Sequence, residues 1–114
     1  MAYGRRAQFE ALRTLGFAGI GAGYAACGGA TADYVRLVSF FNGTDADVTV
    51  SLDGVADHIR VSSGSGQVFD VTANEVRDDG LFFPIGTQFY AKRSVGAPTS
   101  GSFWIQVLTA AGGV

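Results

Sequence analysis

The amino-acid sequence predicts an all-β protein, folded as a single β-sandwich or jelly-roll-like domain of about seven or eight short strands. Short apolar or alternating stretches follow one another roughly every ten residues along the 114-residue chain. Seventeen glycines interrupt most candidate helices. Residues 48–54 alternate apolar and polar side chains and end in an Asp-Gly turn, as a half-buried strand does. Such a strand needs cover on its apolar side, and the other predicted strands are able to supply it.

The strands of the sandwich follow in order after a glycine-rich beginning. An acidic, polar loop is expected at 74–80, and Ser-Gly or Pro-Gly stretches connect the remaining strands. In the last strand the side chains on both faces are apolar, so it is either central in its sheet or covered by another chain. The predicted strands are 35–41, 47–52, 58–61, 67–71, 81–83, 87–93 and 102–109.

Residues 1–30 are predicted to form an N-terminal arm ahead of a sandwich domain at 31–114. Residues 4–15 suit a short helix, with Phe9 and Leu12 three apart and Arg6 and Glu10 four apart, or an extended arm that becomes ordered on a partner. Residues 16–30 carry glycine every two or three positions, which favours an extended, close-packed segment with a strand at 17–24.

Composition and charge limit the possible partners. Hydrophobic residues make up 47% of the chain and charged residues 16%, against about 25% charged in a typical soluble domain. We therefore expect part of the apolar surface to be covered by other subunits. The net charge of −2 gives no reason to expect nucleic acid as a partner. Residues 1–41 hold four arginines against two acidic side chains, so this basic part either attracts acidic neighbouring copies or pairs within its own chain.

No stretch approaches the roughly 18–20 apolar residues of a membrane span, so no membrane association is expected. Arg5-Arg6 and the residues before Cys27 imitate an export signal, but Glu10 and Arg13 interrupt it and glycine replaces leucine in its apolar part.

The residues that carry chemistry are few. Asp45, Asp47, Asp53 and Asp57 offer oxygen ligands, but their spacing does not fit a calcium loop, so turns are the simpler use. The single cysteine and the single histidine, Cys27 and His58, lack the local signature of a nucleophile and its base. We expect no enzyme activity, no metal site and no cofactor.

Cys27 has no second cysteine in the chain to pair with. It is therefore either a cross-link between subunits, as an intermolecular disulfide, or a small buried thiol.

Short motifs at the turns and strand ends extend over residues 12–109: Leu12-Arg13-x-Leu15-x-Phe17, Tyr24-Ala25-Ala26, Asn42-x-Thr44-Asp45, Ser51-x-Asp53-Gly54, Phe69-Asp70-Val71-Thr72-x-Asn74, Gly86-Thr87-Gln88-Phe89-Tyr90-x-Lys92 and Pro98-Thr99-Ser100-Gly101. Together they resemble small structural proteins encoded among the head, neck and tail genes of tailed bacteriophages. The resemblance lies in turns and strands and not in a reactive site. Cys27 departs from the valine or small residue that the resemblance leads us to expect there.

The resemblance implies a virion structural protein of the head or the head–tail junction, present in many copies. It would be a capsid decoration or cement protein, or a neck or connector protein, bound to other copies of itself and to other phage structural proteins. The candidate subunit contacts are Arg5, Arg6, Phe9, Leu12, Phe17, Tyr24 and Trp104. The alternative is a receptor- or carbohydrate-binding module of a phage tail that uses Trp104, Tyr90 or Phe83.

Overall fold

A computed structural model describes residues 6–70, 83 and 85–111, and it confirms the predicted β-sandwich. Two antiparallel sheets pack face to face, and no α-helix occurs among these residues. In a fold of this kind the side chains of each strand alternate between the core and the outside. The strands in chain order are β1 (Arg6–Phe9), β2 (Arg13–Gly16), β3 (Ala25–Ala26), β4 (Tyr34–Asn42), β5 (Val48–Ser51), β6 (Ile59–Val61), β7 (Gly66–Asp70), β8 (Tyr90–Arg93) and β9 (Ser102–Ala111).

The larger sheet, sheet A, has the strand order β1-β9-β4-β7, and β2 also pairs with β9. Sheet B has the order β3-β8-β5-β6. The last strand, β9, is central in sheet A, which confirms one of the two alternatives for its doubly apolar sequence. Its inner side chains Phe103, Ile105 and Val107 are fully buried, while Trp104 and Leu108 on the outer side are half-buried.

Aromatic rings from sheet A, together with Phe89 just before β8 of sheet B, fill the core. Phe40 of β4 contacts Phe89 and Phe69 edge-to-face, each with ring centroids 5.9 Å apart. It also stacks on Phe103 of β9 at 6.3 Å. Each such pair contributes about 0.5–1.5 kcal/mol beyond the free energy of burying its surface. Phe40 takes part in all three pairs, so it is the central aromatic residue of the core.

The alternating strand β5 forms as predicted, but both of its sides are buried. Val48 and Val50 enter the core. Thr49 on the other side is covered because its hydroxyl lies 2.6 Å from the Ser94 hydroxyl, and Ser51 bonds to the Asp53 carboxylate at 2.8 Å. The alternating sequence predicted the strand. It did not predict that the polar side would also be buried, which involves the contacts of Thr49 with Ser94 and of Ser51 with Asp53.

The short helix proposed for residues 4–15 is wrong for the part that the structure describes, because residues 6–9 and 13–16 are strands. Both pair with β9, and the register moves by one residue between them, so a bulge lies at 10–12. The Glu10 N–H donates to the Val107 carbonyl at 3.0 Å within this bulge. An edge strand of this kind gains backbone hydrogen bonds and side-chain cover, which a short marginal helix lacks.

The strand predicted at 17–24 is also wrong. A 3-10 turn spans Phe17–Gly19, and β3 begins only at Ala25. Ile20 and Cys27 belong to the core, so residues 6–30 pack as part of the sandwich. The loop predicted at 74–80 lies outside the described residues, as does most of the predicted strand at 81–83, of which Phe83 bridges to Val35. Within the described residues no helix has the length and apolar character needed to cross a bilayer.

Candidate interaction face on the five-stranded sheet

The outer side of sheet A carries large apolar side chains that nothing in the described chain covers. Phe9, Leu12, Phe41 and Val68 are 71%, 54%, 44% and 62% exposed. They lie there because their strand neighbours point into the core and successive side chains of a strand alternate. We call this surface the apolar face; its members are Phe9, Leu12, Leu37, Phe41, Val68, Trp104 and Leu108.

The strand register brings these side chains into rows. Phe9 lies opposite Leu108, which in turn lies opposite Leu37. Trp104 lies opposite Phe41 on the neighbouring strand. Side chains directly opposite each other are close enough to form one continuous surface. The apolar face therefore consists of two rows of apolar side chains across sheet A, with the polar side chains of Gln106 and Ser39 between the rows.

A stacked aromatic pair marks one end of the apolar face. The rings of Phe41 and Trp104 are 5.6 Å apart and inclined by 20°. A Cβ atom at Gly43 would overlap the indole ring, so the glycine allows Trp104 to lie close against the turn after β4. Beside the pair is a groove of about 220 Å³ lined by Leu12, Ser39, Phe41, Trp104 and Gln106.

The size of the apolar face follows from strand geometry. Three spacings between strands cover about 14 Å, and the four steps along the strand from position 104 to 108 rise about 14 Å. With the projecting side chains the face is of the order of 300 Å², the size of functional patches on many monomers. A stable pairwise interface uses about 800 Å² on each partner, so one face alone supports only a modest contact.

The outer side of sheet B is different, because polar groups pair with one another there. Lys92 Nζ lies 3.3 Å from the Asp57 carboxylate and 4.7 Å from the centre of the Tyr24 ring. The Tyr24 hydroxyl donates to the same carboxylate. Loss of solvent around the Tyr24 hydroxyl, together with Asp57, raises its pKa, and the hydrogen bond from Tyr24 lowers the pKa of Asp57. Tyr24 is thus engaged in its own chain and is not part of the apolar face.

Three of the predicted contact residues lie on the apolar face, namely Phe9, Leu12 and Trp104. Phe17 is exposed in the turn after β2. Arg6 lies in β1, and Arg5 lies outside the described residues. Sequence reasoning missed Leu37, Phe41, Val68 and Leu108; the doublet Phe40-Phe41 was the available signal, since two adjacent rings on one strand must face opposite sides.

A buried arginine holds the N-terminal strands against the loop after β3. Arg13 Nη1 donates to the carbonyl of Cys27 at 3.1 Å and to that of Gly29 at 2.5 Å. Its Nη2 pairs with the Glu10 carboxylate at 2.6 Å, and the guanidinium lies 5.3 Å from the centre of the Phe89 ring. These contacts fix β2, the strand that directly follows the exposed Leu12.

Cys27 is 1% exposed, so the structure supports the buried thiol and not the intermolecular disulfide. Burial raises the pKa of the thiol to about 11, although the nearby Arg13 acts in the opposite direction. A protonated, covered sulfur is a poor nucleophile and cannot meet a second chain without local opening. His58 is likewise engaged locally, since its Nδ1 accepts a hydrogen bond from the Leu52 N–H at 3.0 Å.

We expect Cys27 to react with Ellman's reagent at least about 100-fold more slowly in the folded protein than in denaturant, because reaction requires opening of the core. Stopped-flow absorbance in buffer and in urea measures the ratio. Non-reducing gels should show only the monomer band. A rapid reaction in the folded protein, or a dimer band that disappears with reductant, would instead support the intermolecular disulfide.

The four aspartates considered for calcium act separately. The Thr99 N–H donates to Asp45 at 2.7 Å, Arg60 donates to Asp47 at 2.7 Å, and Asp53 accepts from two backbone N–H groups. Among the described residues no group of three or more His, Cys, Asp or Glu side chains is placed to hold a metal ion. The carboxylates fasten turns.

Acid is expected to weaken the turn at Asp53. The N–H groups of Val55 and Ala56 donate to its carboxylate at 2.8 and 2.9 Å and lower the pKa of Asp53 from 3.8 to about 2. Since the folded pKa lies below the unfolded one, the stabilisation is complete above about pH 4 and is lost as the pH falls toward 2. Asp53→Asn should lower the Tm at pH 7, and the difference from the wild type should shrink at pH 2. An equal difference at both pH values would contradict this assignment.

Comparison of the chain with protein-family models, with curated proteins and with solved structures gives no match.

Proposed function

We propose that this protein is a structural component of a tailed-bacteriophage particle, present in many copies and held in place through the apolar face of sheet A. The observation that carries the proposal is the contrast between the two outer sides of the sandwich. One side exposes apolar side chains on both sides of the Ser39–Gln106 pair, while the other side pairs its charges within the chain. The resemblance of the turn motifs to phage structural proteins supports the same conclusion.

The energetics favour a role in a repeated assembly. Covering roughly 300 Å² of apolar surface contributes about 7.5 kcal/mol at 25 cal/mol per Å². Association costs about 4–15 kcal/mol in lost freedom and ordering, so a single contact is weak. In a particle that holds many copies, several weak contacts act together and the effective affinity rises steeply. The apolar face would rest on neighbouring subunits, and sheet B would face the solvent.

Decoration of the capsid and a place in the neck both use such a face. Cryo-electron microscopy of particles separates the two roles by symmetry. Copies at threefold, sixfold or general icosahedral positions indicate a decoration or cement protein. A single ring of copies at the head–tail junction indicates a connector.

We expect the double variant Phe9→Ser/Leu12→Ser to reduce incorporation into particles at least about tenfold, because it removes two exposed apolar side chains from the face. Its free energy of unfolding should stay within about 1 kcal/mol of the wild type, as for other surface changes. Incorporation is measured by quantitative mass spectrometry of purified particles assembled with each variant.

The matched control is Val55→Ser/Val95→Ser, which removes two apolar side chains that are 82% and 84% exposed but lie in loops outside the face. The control should be incorporated normally. Equal incorporation of both double variants would reject the apolar face as the contact, and absence of the wild-type chain from purified particles would reject the proposed function.

A second candidate is the carbohydrate-binding module. The observation that favours it is the groove beside the Trp104–Phe41 pair, where the polar side chains of Ser39 and Gln106 lie next to aromatic rings. Sugars bind in this way, with a ring face against an aromatic side chain and hydroxyls on polar neighbours. Strong glycan-array binding that is lost in Gln106→Ala would support this function.

A further inference from the structure

A second apolar feature lies between the two sheets, away from the apolar face. It is a cleft of about 280 Å³ on the side of the sandwich where β6 and β7 are the outer strands. Its floor is formed by Val38, Phe40 and Phe89, all at most 1% exposed. Its walls come from both sheets, with Phe69 on one side and Ile59 on the other.

The lining is apolar with one exception. Among the described residues that line the cleft, His58 has the single polar side chain, and it lies with Leu52 and Phe83. Its Nδ1 accepts the Leu52 N–H, so the neutral ring carries its proton on Nε2. The cleft therefore offers an apolar cavity with His58 in its wall, and Nε2 is the ring nitrogen left to donate a hydrogen bond.

One end of the cleft is closed. Gln67 Nε2 of β7 donates to the Arg60 carbonyl of β6 at 2.6 Å and ties the two outer strands together. The short loop at residues 62–65 joins the same strands at that end. The closed end leaves a short cleft, which suits a compact molecule better than an extended chain.

We propose that the cleft binds a small amphipathic molecule, with an apolar body of one or two rings or a short acyl chain and one hydrogen-bond acceptor directed at His58. A dry apolar cavity of about 150 Å³ already holds benzene, and typical ligand pockets begin near about 300 Å³. The cleft falls between these sizes. The inference does not depend on the proposed function, since the apolar face lies on the outer side of sheet A.

Octanoate is a suitable probe, because its carboxylate is a hydrogen-bond acceptor. Toluene is the comparison probe, which lacks such an acceptor. In a titration followed by methyl-resolved NMR, both should shift the signals of Val38, Leu52 and Ile59 saturably. Those of Val55, Val68 and Val95 should stay unchanged. Shifts spread over all exposed methyl groups, or no shift with either probe, would overturn the proposal.

Variants at three residues of the cleft test the assignment further. Leu52→Phe extends a half-buried wall residue into the cleft, and should weaken both probes at least about tenfold, with Ile59→Phe as a second filling variant if the first fails to fold. His58→Ala should weaken octanoate about fivefold or more and leave toluene unchanged, because only octanoate uses the donor. Phe9→Ser/Leu12→Ser is the control and should bind both probes as the wild type does. Unaltered binding in the folded Leu52→Phe or Ile59→Phe variant would place the probes elsewhere and contradict the assignment.

Discussion

Replacing Phe40 by alanine should lower the free energy of unfolding by about 3–5 kcal/mol, which is typical of a buried phenylalanine. The ring is 1% exposed and contacts Phe69, Phe89 and Phe103, so its loss leaves a cavity between the sheets. A change of this size is a large part of the total stability of a small domain. Urea unfolding followed by circular dichroism measures it.

The neighbouring residue provides the control. Phe41 lies on the opposite side of the same strand, 44% exposed, and stacks on Trp104. We expect Phe41→Ala to cost about 1 kcal/mol or less, and to weaken incorporation into particles because it changes the apolar face. If Phe41→Ala destabilised the chain as much as Phe40→Ala, the assignment of inner and outer sides would be wrong.

Gly101→Ala is expected to destabilise the fold by about 2–4 kcal/mol. The φ angle of Gly101 is +89°, in the region that residues with a Cβ atom avoid. An added Cβ would also overlap the carbonyl oxygen of Gly43, and backbone cannot move aside as a flexible side chain can. To relieve this overlap, the beginning of β9 would have to separate from the turn after β4.

Gly96→Ala serves as the matched control, since a Cβ there would meet nothing within 4 Å and its φ is not positive. Gly96→Ala should be neutral or should stabilise the protein by about 0.4–1 kcal/mol, because alanine lowers the conformational entropy of the unfolded chain. Thermal unfolding of the two variants compares them directly. A Gly101→Ala protein as stable as Gly96→Ala would show that the strands do not approach as closely as described.

The same close approach connects the fold with the candidate interaction face. Gly101 packs against Gly43, and Gly43 leaves space for the Trp104 ring. Trp104 in turn stacks on Phe41. Side chains larger than hydrogen at these two glycines would therefore disturb both the turn and the aromatic end of the apolar face.

Local sequence patterns were sufficient to predict the strands β4, β5 and β9. The apolar run at 35–41 and the alternation at 48–52 became β4 and β5, and the doubly apolar sequence at 102–109 became the central strand β9. Alternation with period two is a property of the strand itself, so it can be read without knowing what packs on it.

The N-terminal strands could not be read in this way. The spacing of Phe9 and Leu12 resembles a helix, yet a one-residue bulge places both on the outer side of sheet A. Arg13 resembles a surface charge in sequence, but two backbone carbonyls and Glu10 accept its hydrogen bonds inside the sandwich. Strand β9 and the carbonyls of Cys27 and Gly29, all more than ten residues away in the sequence, determine these outcomes.

The sequence alone determined the fold class, the positions of the longer strands and the excess of apolar side chains, because these depend on local periodicity and composition. Only the tertiary structure decided which apolar side chains remain uncovered, since that depends on strand register and on which sheet side meets the other. The buried state of Cys27, the polar network on sheet B and the cleft beside His58 arise in the same way. Each is formed by segments far apart in the chain, and the geometry that joins them exists only after the two sheets pack.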